Sequence, residues 1–141
     1  MSADTKPIIL IVDDDPDLAN IMRMMLSHAG FEAHSVLSGQ EALEWLEART
    51  PDLILLDLMM PDINGFTILR KVRSSEIIKN LPVVILTAKA DQKTRMESQS
   101  AGADAFLTKP INSKTLIDHV RRALGPKAPP TADDVPNANR A

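Results

Sequence analysis

Cysteine is absent from the 141 residues, which excludes disulfides and thiolate metal sites and fits a reducing compartment. Aromatic residues are nearly absent too. Phe31, Phe66, Phe106 and Trp45 are the only ones, so the core has to be built from Ile, Leu, Val and Met. No apolar run approaches the roughly 20 residues that cross a bilayer, and the opening "MSADTKP" lacks an apolar signal core. Basic charge is not in excess: the net charge is −3, which gives no electrostatic footprint for nucleic acid. These absences point to a cytoplasmic chain with no direct nucleic-acid or membrane partner. What is present, 44% apolar and 25% charged residues, is ordinary for one globular domain able to bury a real core.

Five short apolar runs punctuate the chain. "PIILIV" (7–12), "DLILLD" (52–57) and "PVVILT" (82–87) are continuous and aliphatic, as in strands buried on both faces. "FEAHSV" (31–36) is more mixed and "DAFLT" (104–108) is short. Helical patterns lie between them. Leu18, Ile21, Met22, Met25, Leu26 and Ala29 recur at helical spacing over 17–29, and Gly30 follows as a stop. In "SGQEALEWLEA" (38–48) Ser38 and Glu41 are spaced as a capping box ahead of an Ala42, Leu43, Trp45, Leu46 stripe. "GFTILRKVR" (65–73) is a shorter helix. "INSKTLIDHVRRAL" (111–124) has Asn112 as N-cap, a Leu116, Ile117, Val120, Leu124 stripe, and Gly125–Pro126 as its stop. The helix expected over 89–103 offers only Ala90, Met96 and Ala101 for burial, so it should be weakly held. Strands alternating with helices indicate βαβ units, hence a five-stranded, doubly wound parallel α/β domain over about 6–124. "PKAPPTADDVPNANRA" (126–141), with four prolines and no periodic apolar pattern, reads as a disordered tail.

The polar residues that close the strands are more telling. "IILIVDDDPD" runs from a buried strand straight into Asp13, Asp14 and Asp15, with Asp17 after Pro16. The third run ends at Asp57, the fourth at Thr87, and Lys109 stands just beyond the fifth. In a parallel sheet all carboxyl ends lie on one edge, where ligands bind. Asp15 and Asp17 suit the first turn of the following helix, with Pro16 at its start. Asp13, Asp14 and Asp57 would repel one another there unless a hard divalent cation joined them, and Mg²⁺ binds through few carboxylates while also taking phosphate oxygens. A carboxylate can be a nucleophile towards phosphorus. Mg²⁺ and Lys109 would then neutralise phosphoryl oxygens, and the Thr87 hydroxyl would hydrogen-bond one.

With "VDDD" (12–15), "LLDLMMPDINGF" (55–66), "VVILTAKAD" (83–91) and "GADAFLTKPIN" (102–112) in place, the chain resembles a receiver domain of two-component response regulators over residues 7–124. The resemblance implies a flavodoxin-like (βα)5 fold with strand order 2-1-3-4-5, a receiver over 1–125 and a Pro-rich tail over 126–141. It implies Asp57 as phosphoacceptor, Asp14 and Asp57 as direct Mg²⁺ ligands, Asp13 acting through water, and the Met59 backbone carbonyl as the third protein ligand. It implies that Thr87 and Lys109 contact the phosphoryl group, that the Lys109–Pro110 bond is cis, and that Phe106 is a mobile switch aromatic. The implied partners are a sensor histidine kinase or histidine phosphotransfer protein upstream, and downstream a protein target met through the 89–124 face. The implied state is a monomer or a phosphorylation-promoted dimer, and the implied role is that of a signalling domain, not an enzyme.

Other readings remain. The chain could be the N-terminal receiver fragment of a larger regulator, or a docking module indifferent to phosphorylation. Asp13 and Asp15 also have the D-x-D spacing of haloacid-dehalogenase-like phosphohydrolases, although that reading leaves Asp57 unexplained.

Overall fold

The aliphatic runs are strands because both of their faces are covered. A computed structural model describes residues 5–129. Five strands, β1 (Ile8–Val12), β2 (Glu32–Val36), β3 (Leu53–Leu56), β4 (Val83–Thr87) and β5 (Ala105–Thr108), form one parallel sheet in the order β2-β1-β3-β4-β5. This is the strand order that the resemblance to receiver domains implies. The central strands β1, β3 and β4 are almost wholly buried, whereas the edge strands β2 and β5 keep half-buried positions, in line with their mixed composition.

Alternation along each strand divides the core into two layers. Ile9, Ile11, Leu55 and Leu86 face one side with Met22 and Leu26 of α1 (Pro16–His28) and Leu116 and Val120 of α5 (Ser113–Leu124). Leu10, Ile54 and Ile85 face the other side with Ala42 of α2 (Gly39–Ala48) and Ile68 and Leu69 of α3 (Gly65–Ser74). Each fully buried Met or Leu of this kind contributes about 1.5–3 kcal/mol.

Helix starts follow the sequence signals. Asp15 caps α1, its carboxylate accepting from the Asp17 and Leu18 amides, with Pro16 in the first turn. Ser38 caps α2 by accepting from the Glu41 amide at 3.1 Å, and Asn112 caps α5 by accepting from Thr115 at 2.8 Å. Gly30 follows α1 at φ 102°, a left-handed conformation that glycine adopts without strain.

Helix α4 (Gln92–Ser100) departs from the expected burial. Ala90 and Met96 are exposed and Ala101 is half-buried; the face against the sheet is Thr94 and Ser98, 2% and 1% exposed. Their hydroxyls are satisfied locally, Thr94 Oγ1 donating to Asp91 Oδ1 at 2.7 Å and Ser98 Oγ to the Thr94 carbonyl at 2.9 Å. Small polar side chains that are internally bonded can be buried without a large penalty. They supply little hydrophobic attachment, so the weak anchoring expected of this segment has a structural basis, on different residues.

The edge formed by the amino ends of the strands is tied by side chains. Asp52 accepts from the Ile8 amide at 2.7 Å, and Asp104 from the Val83 amide at 2.8 Å. Arg73 reaches the Gly102, Leu81 and Lys79 carbonyls and the Asp104 carboxylate. The first residues of the Pro-rich stretch stay with the domain: Gly125–Lys127 form a 3-10 turn, Ala128 packs on the α1–α5 layer, and Arg121 donates to the Pro129 and Ala29 carbonyls. The remainder of the expected tail, 130–141, lies outside the described residues.

Candidate functional site

Strand order reverses at β1, which has β2 on one side and β3 on the other. That crevice at the carboxyl ends is where a doubly wound sheet binds ligands. Asp13 and Asp57 are the residues that follow β1 and β3 into it. The ladder carries on through them, the Asp13 amide donating to Val36 O at 3.2 Å and the Asp57 amide to Val12 O at 2.9 Å. Both side chains are buried, with 1% and 4% of the residue exposed, and Asp14 beside them is exposed. Asp13, Asp14 and Asp57 each offer a carboxylate oxygen such that the three lie within 4.8 Å of one another.

The two buried carboxylates are held in the same way. One oxygen of each accepts the amide two residues on: Asp13 Oδ1 from Asp15 at 2.9 Å, Asp57 Oδ1 from Met59 at 3.1 Å. The other faces the Lys109 ammonium, at 2.7 Å for Asp13 Oδ2 and 2.9 Å for Asp57 Oδ2. Both orientations are thus fixed in advance of any ligand. One ammonium against three carboxylates leaves the cluster two negative charges in excess. Burial pushes the Asp13 carboxyl above its usual value, against the opposing pull of Lys109 and the Asp15 amide. The Lys109 ammonium is pushed down by its own burial, but its bonds to Asp13 and Asp57 outweigh that and raise it. All-oxygen donors with an excess of negative charge suit a hard divalent cation.

Thr87 closes β4 fully buried, its hydroxyl accepting from the Lys89 amide at 3.3 Å. Its carbonyl accepts from the Lys109 amide at 2.9 Å, so β4 positions the lysine, and the Lys109–Pro110 bond is cis. The Met59 side chain is exposed, while its backbone belongs to the loop leaving Asp57. Phe106 is half-buried on β5 opposite Ile85. Thr87 lies two residues beyond Ile85 on the same face, so ring and hydroxyl are diagonal neighbours. The D-x-D alternative loses its second carboxylate, because Asp15 is engaged in the α1 cap.

Two residues that support the site carry no signal at the level of periodicity or charge. Gly65 opens α3 against the Asp57 backbone, and Asp62 reaches from the loop after β3 to the start of α2. The Asp62 carboxylate accepts from the Gln40 amide at 2.9 Å and the Gly39 amide at 3.0 Å, which holds its pKa below the usual value. Asp62→Ala is therefore expected to speed amide exchange at Gly39 and Gln40 and loosen the loop after Asp57. A depressed carboxylate stabilises above its unfolded pKa, and that effect fades as pH falls through the folded one. The difference between variant and wild type should accordingly shrink in acid; unchanged exchange at both amides at neutral pH would contradict this coupling.

The model of the response regulator receiver domain matches residues 9–121. Among curated proteins the chain is 37% identical over 123 residues to the transcriptional regulatory protein TrcR of Mycobacterium tuberculosis, covering 86% of this chain and 47% of that one. It is 39% identical over 116 residues to the DNA-binding response regulator MtrA of Mycolicibacterium smegmatis, covering 82% and 50%. The chain thus spans about half the length of these relatives. Among solved structures, a putative response regulator from Chloroflexus aurantiacus superposes with a TM-score of 0.81 at 34% identity, covering 85% of this chain and 98% of that one. The chemotaxis response regulator CheY4 of Vibrio cholerae gives 0.80 at 30%, covering 84% and 99%. With the strand order and the family match in agreement, the chain belongs to the receiver domains of two-component response regulators.

Proposed function

We propose that this domain is a Mg²⁺-dependent phosphoacceptor whose acceptor is Asp57. The observation that carries the reading is the convergence of Asp13, Asp14 and Asp57 at the sheet's switch point, with Lys109 bridging the two buried carboxylates. Asp14 and Asp57, with the Met59 backbone carbonyl, hold the cation, and Asp13 acts through water. A cation bound there supplies charge neutralisation at the phosphoryl oxygens.

The donor is a phosphohistidine on a sensor kinase or phosphotransfer protein. Asp57 Oδ forms the bond to phosphorus as the phosphorus–nitrogen bond breaks, and the leaving imidazole recovers its electron pair and then a proton. Transfer of this kind needs alignment and charge stabilisation more than covalent chemistry. Asp57 is already aligned by the Met59 amide. Lys109 follows the charge from the carboxylate to the phosphoryl oxygens, and the Thr87 hydroxyl donates to one of them. Water later attacks the phosphorus of the acyl phosphate, the bond between phosphorus and Asp57 Oδ breaks, and inorganic phosphate leaves as the carboxylate is restored, so the domain assists its own turnover without acting on a separate substrate.

Thr87 moving towards the phosphoryl group vacates space beside Phe106, which turns inward, and the weakly anchored α4 repacks. The 89–124 surface then presents a new face to a downstream protein or a second copy. This is a population shift biased by one local charge. Output is read as protein contact from this domain, whether or not a DNA-binding regulator lies further along.

Intact mass after incubation with Mg²⁺ and acetyl phosphate tests the reading. The expected result is one added phosphoryl group, absent without Mg²⁺ and absent in Asp57→Asn. An adduct of equal yield in Asp57→Asn would place the acceptor elsewhere. A wild type without adduct that also fails to bind beryllofluoride would favour a docking module indifferent to phosphorylation.

A further inference from the structure

Arg95 is exposed on α4, yet its side chain joins three elements. The guanidinium carbon lies 4.7 Å from the centroid of the Phe106 ring on β5. Its Nε faces the Ala90 carbonyl, at 3.4 Å, in the loop after β4. Arg95 and Phe106 both line a cleft between α4 and β5 of about 380 Å³. A guanidinium over an aromatic ring is attracted by the ring's negative face. On a firmly seated helix such a surface contact would be incidental. On α4, which buries only Thr94 and Ser98 against the sheet, it is an additional tie between the helix and β5.

We propose that Arg95 is a positioning residue that latches Phe106 in the half-buried position it holds beneath the guanidinium, and so opposes the switched state of the domain. The inference rests on the reading of Asp57 and Phe106 given above. A ring that turns inward leaves the guanidinium, so the stack exists only in the resting state. By linkage, whatever the stack adds to the resting state it removes from the affinity of Asp57 for a phosphoryl group or its mimic. For an exposed cation–π pair that factor is about two- to five-fold. Switching also frees the Arg95 guanidinium at the α4–β5 surface, where an acidic side chain of a partner can take it.

The test uses the full chain with its three phenylalanines fluorinated, Phe106 being assigned through Phe106→Leu. Fluorine spectra are recorded during a beryllofluoride titration in Mg²⁺ for wild type, Arg95→Gln and Arg95→Lys. The expected result is that Arg95→Gln moves the free Phe106 resonance in the direction in which beryllofluoride moves wild type, and lowers the midpoint about two- to five-fold. Arg95→Lys, which keeps the cation, should recover part of both effects. Equal midpoints in wild type and Arg95→Gln would overturn the latch, as would a midpoint that rises. If wild type shows no beryllofluoride response, the phosphoacceptor reading fails when the acetyl phosphate adduct is missing too; the free spectra then decide the latch, which stands if Arg95→Gln shifts Phe106 and Arg95→Lys restores it, and falls otherwise.

Discussion

Lys109→Met is expected to lower the stability of the metal-free domain by about 3 kcal/mol at neutral pH, because removing one partner leaves buried charge uncompensated. The lysine is the only cation within 4 Å of Asp13 and Asp57 among the described residues, and the three side chains are 17%, 2% and 4% exposed. The effect has a pH signature. The Asp13 carboxyl already sits above its unfolded value, through burial. Lys109 lowers it, so its removal raises it further. Between the unfolded pKa and the raised folded one, the folded state holds more protons than the unfolded state. Stability therefore falls as pH rises through that window, and the variant's window is the wider. The deficit of Lys109→Met should shrink as the medium is acidified towards pH 4, which denaturant unfolding in a chelator at several pH values would measure. In wild type the raised Lys109 pKa gives a slope of the same sign at higher pH: its stabilisation is complete below the unfolded lysine value and disappears as pH climbs past the folded one. Mg²⁺ should restore part of the loss in the variant by binding the folded state alone. A Lys109→Met protein with wild-type stability across the range would show that solvent, not the lysine, neutralises the pair.

Gly65→Ala is expected to be the most disruptive single methyl near the site. A Cβ on Gly65 would stand 2.5 Å from the Asp57 carbonyl oxygen and 2.7 Å from Leu58 Cα. Both are backbone atoms, so nothing can swing aside by changing rotamer. Either α3 retreats or the chain at Asp57 and Leu58 shifts, and the Gly65 amide's 3.1 Å bond to Leu58 O is strained. Overpacking of this kind costs about 1–3 kcal/mol. Phosphoryl uptake should suffer more than stability does, since misplacing a reacting atom by about 1 Å can cost a hundredfold. Thermal unfolding and the rate of adduct formation from acetyl phosphate, measured on the same sample below its melting point, separate the two. Uptake that falls only in step with the folded fraction would mean that Asp57 keeps its place and α3 alone yields.

The sheet was legible because its determinants are local and repetitive. Uninterrupted aliphatic runs ending in Asp13, Asp57 and Thr87 identify both the strands and the edge they share. α1, α2 and α5 were legible from their stripes and caps, with Asp15, Ser38 and Asn112 all acting as N-caps. α4 was located but its buried face was not, because periodicity arguments weigh apolar residues and this helix turns Thr94 and Ser98 inward. Met96, the most apolar residue in its middle, points to solvent. Asp62 and Gly65 were invisible to periodicity for a different reason: their partners, the α2 amides and the Asp57 backbone, come close only once the chain has folded. Lys109 was legible as a member of the edge. That it grips two carboxylates at once is a matter of distance, which spacing in a sequence does not contain.

The path of the chain at the far end of the sheet has a practical meaning. All strands run from that end towards the aspartates, and α5 runs back, so the described chain enters and leaves at the pole opposite Asp57. Lys127, 3.5 Å from Asp52 at the start of β3, marks the exit. An affinity handle, a fluorophore or a surface anchor joined directly at residue 5 or at residue 129 would be attached at that pole. A chip or bead that captures the protein by either route should present the aspartates outwards, leaving them free for an incoming donor.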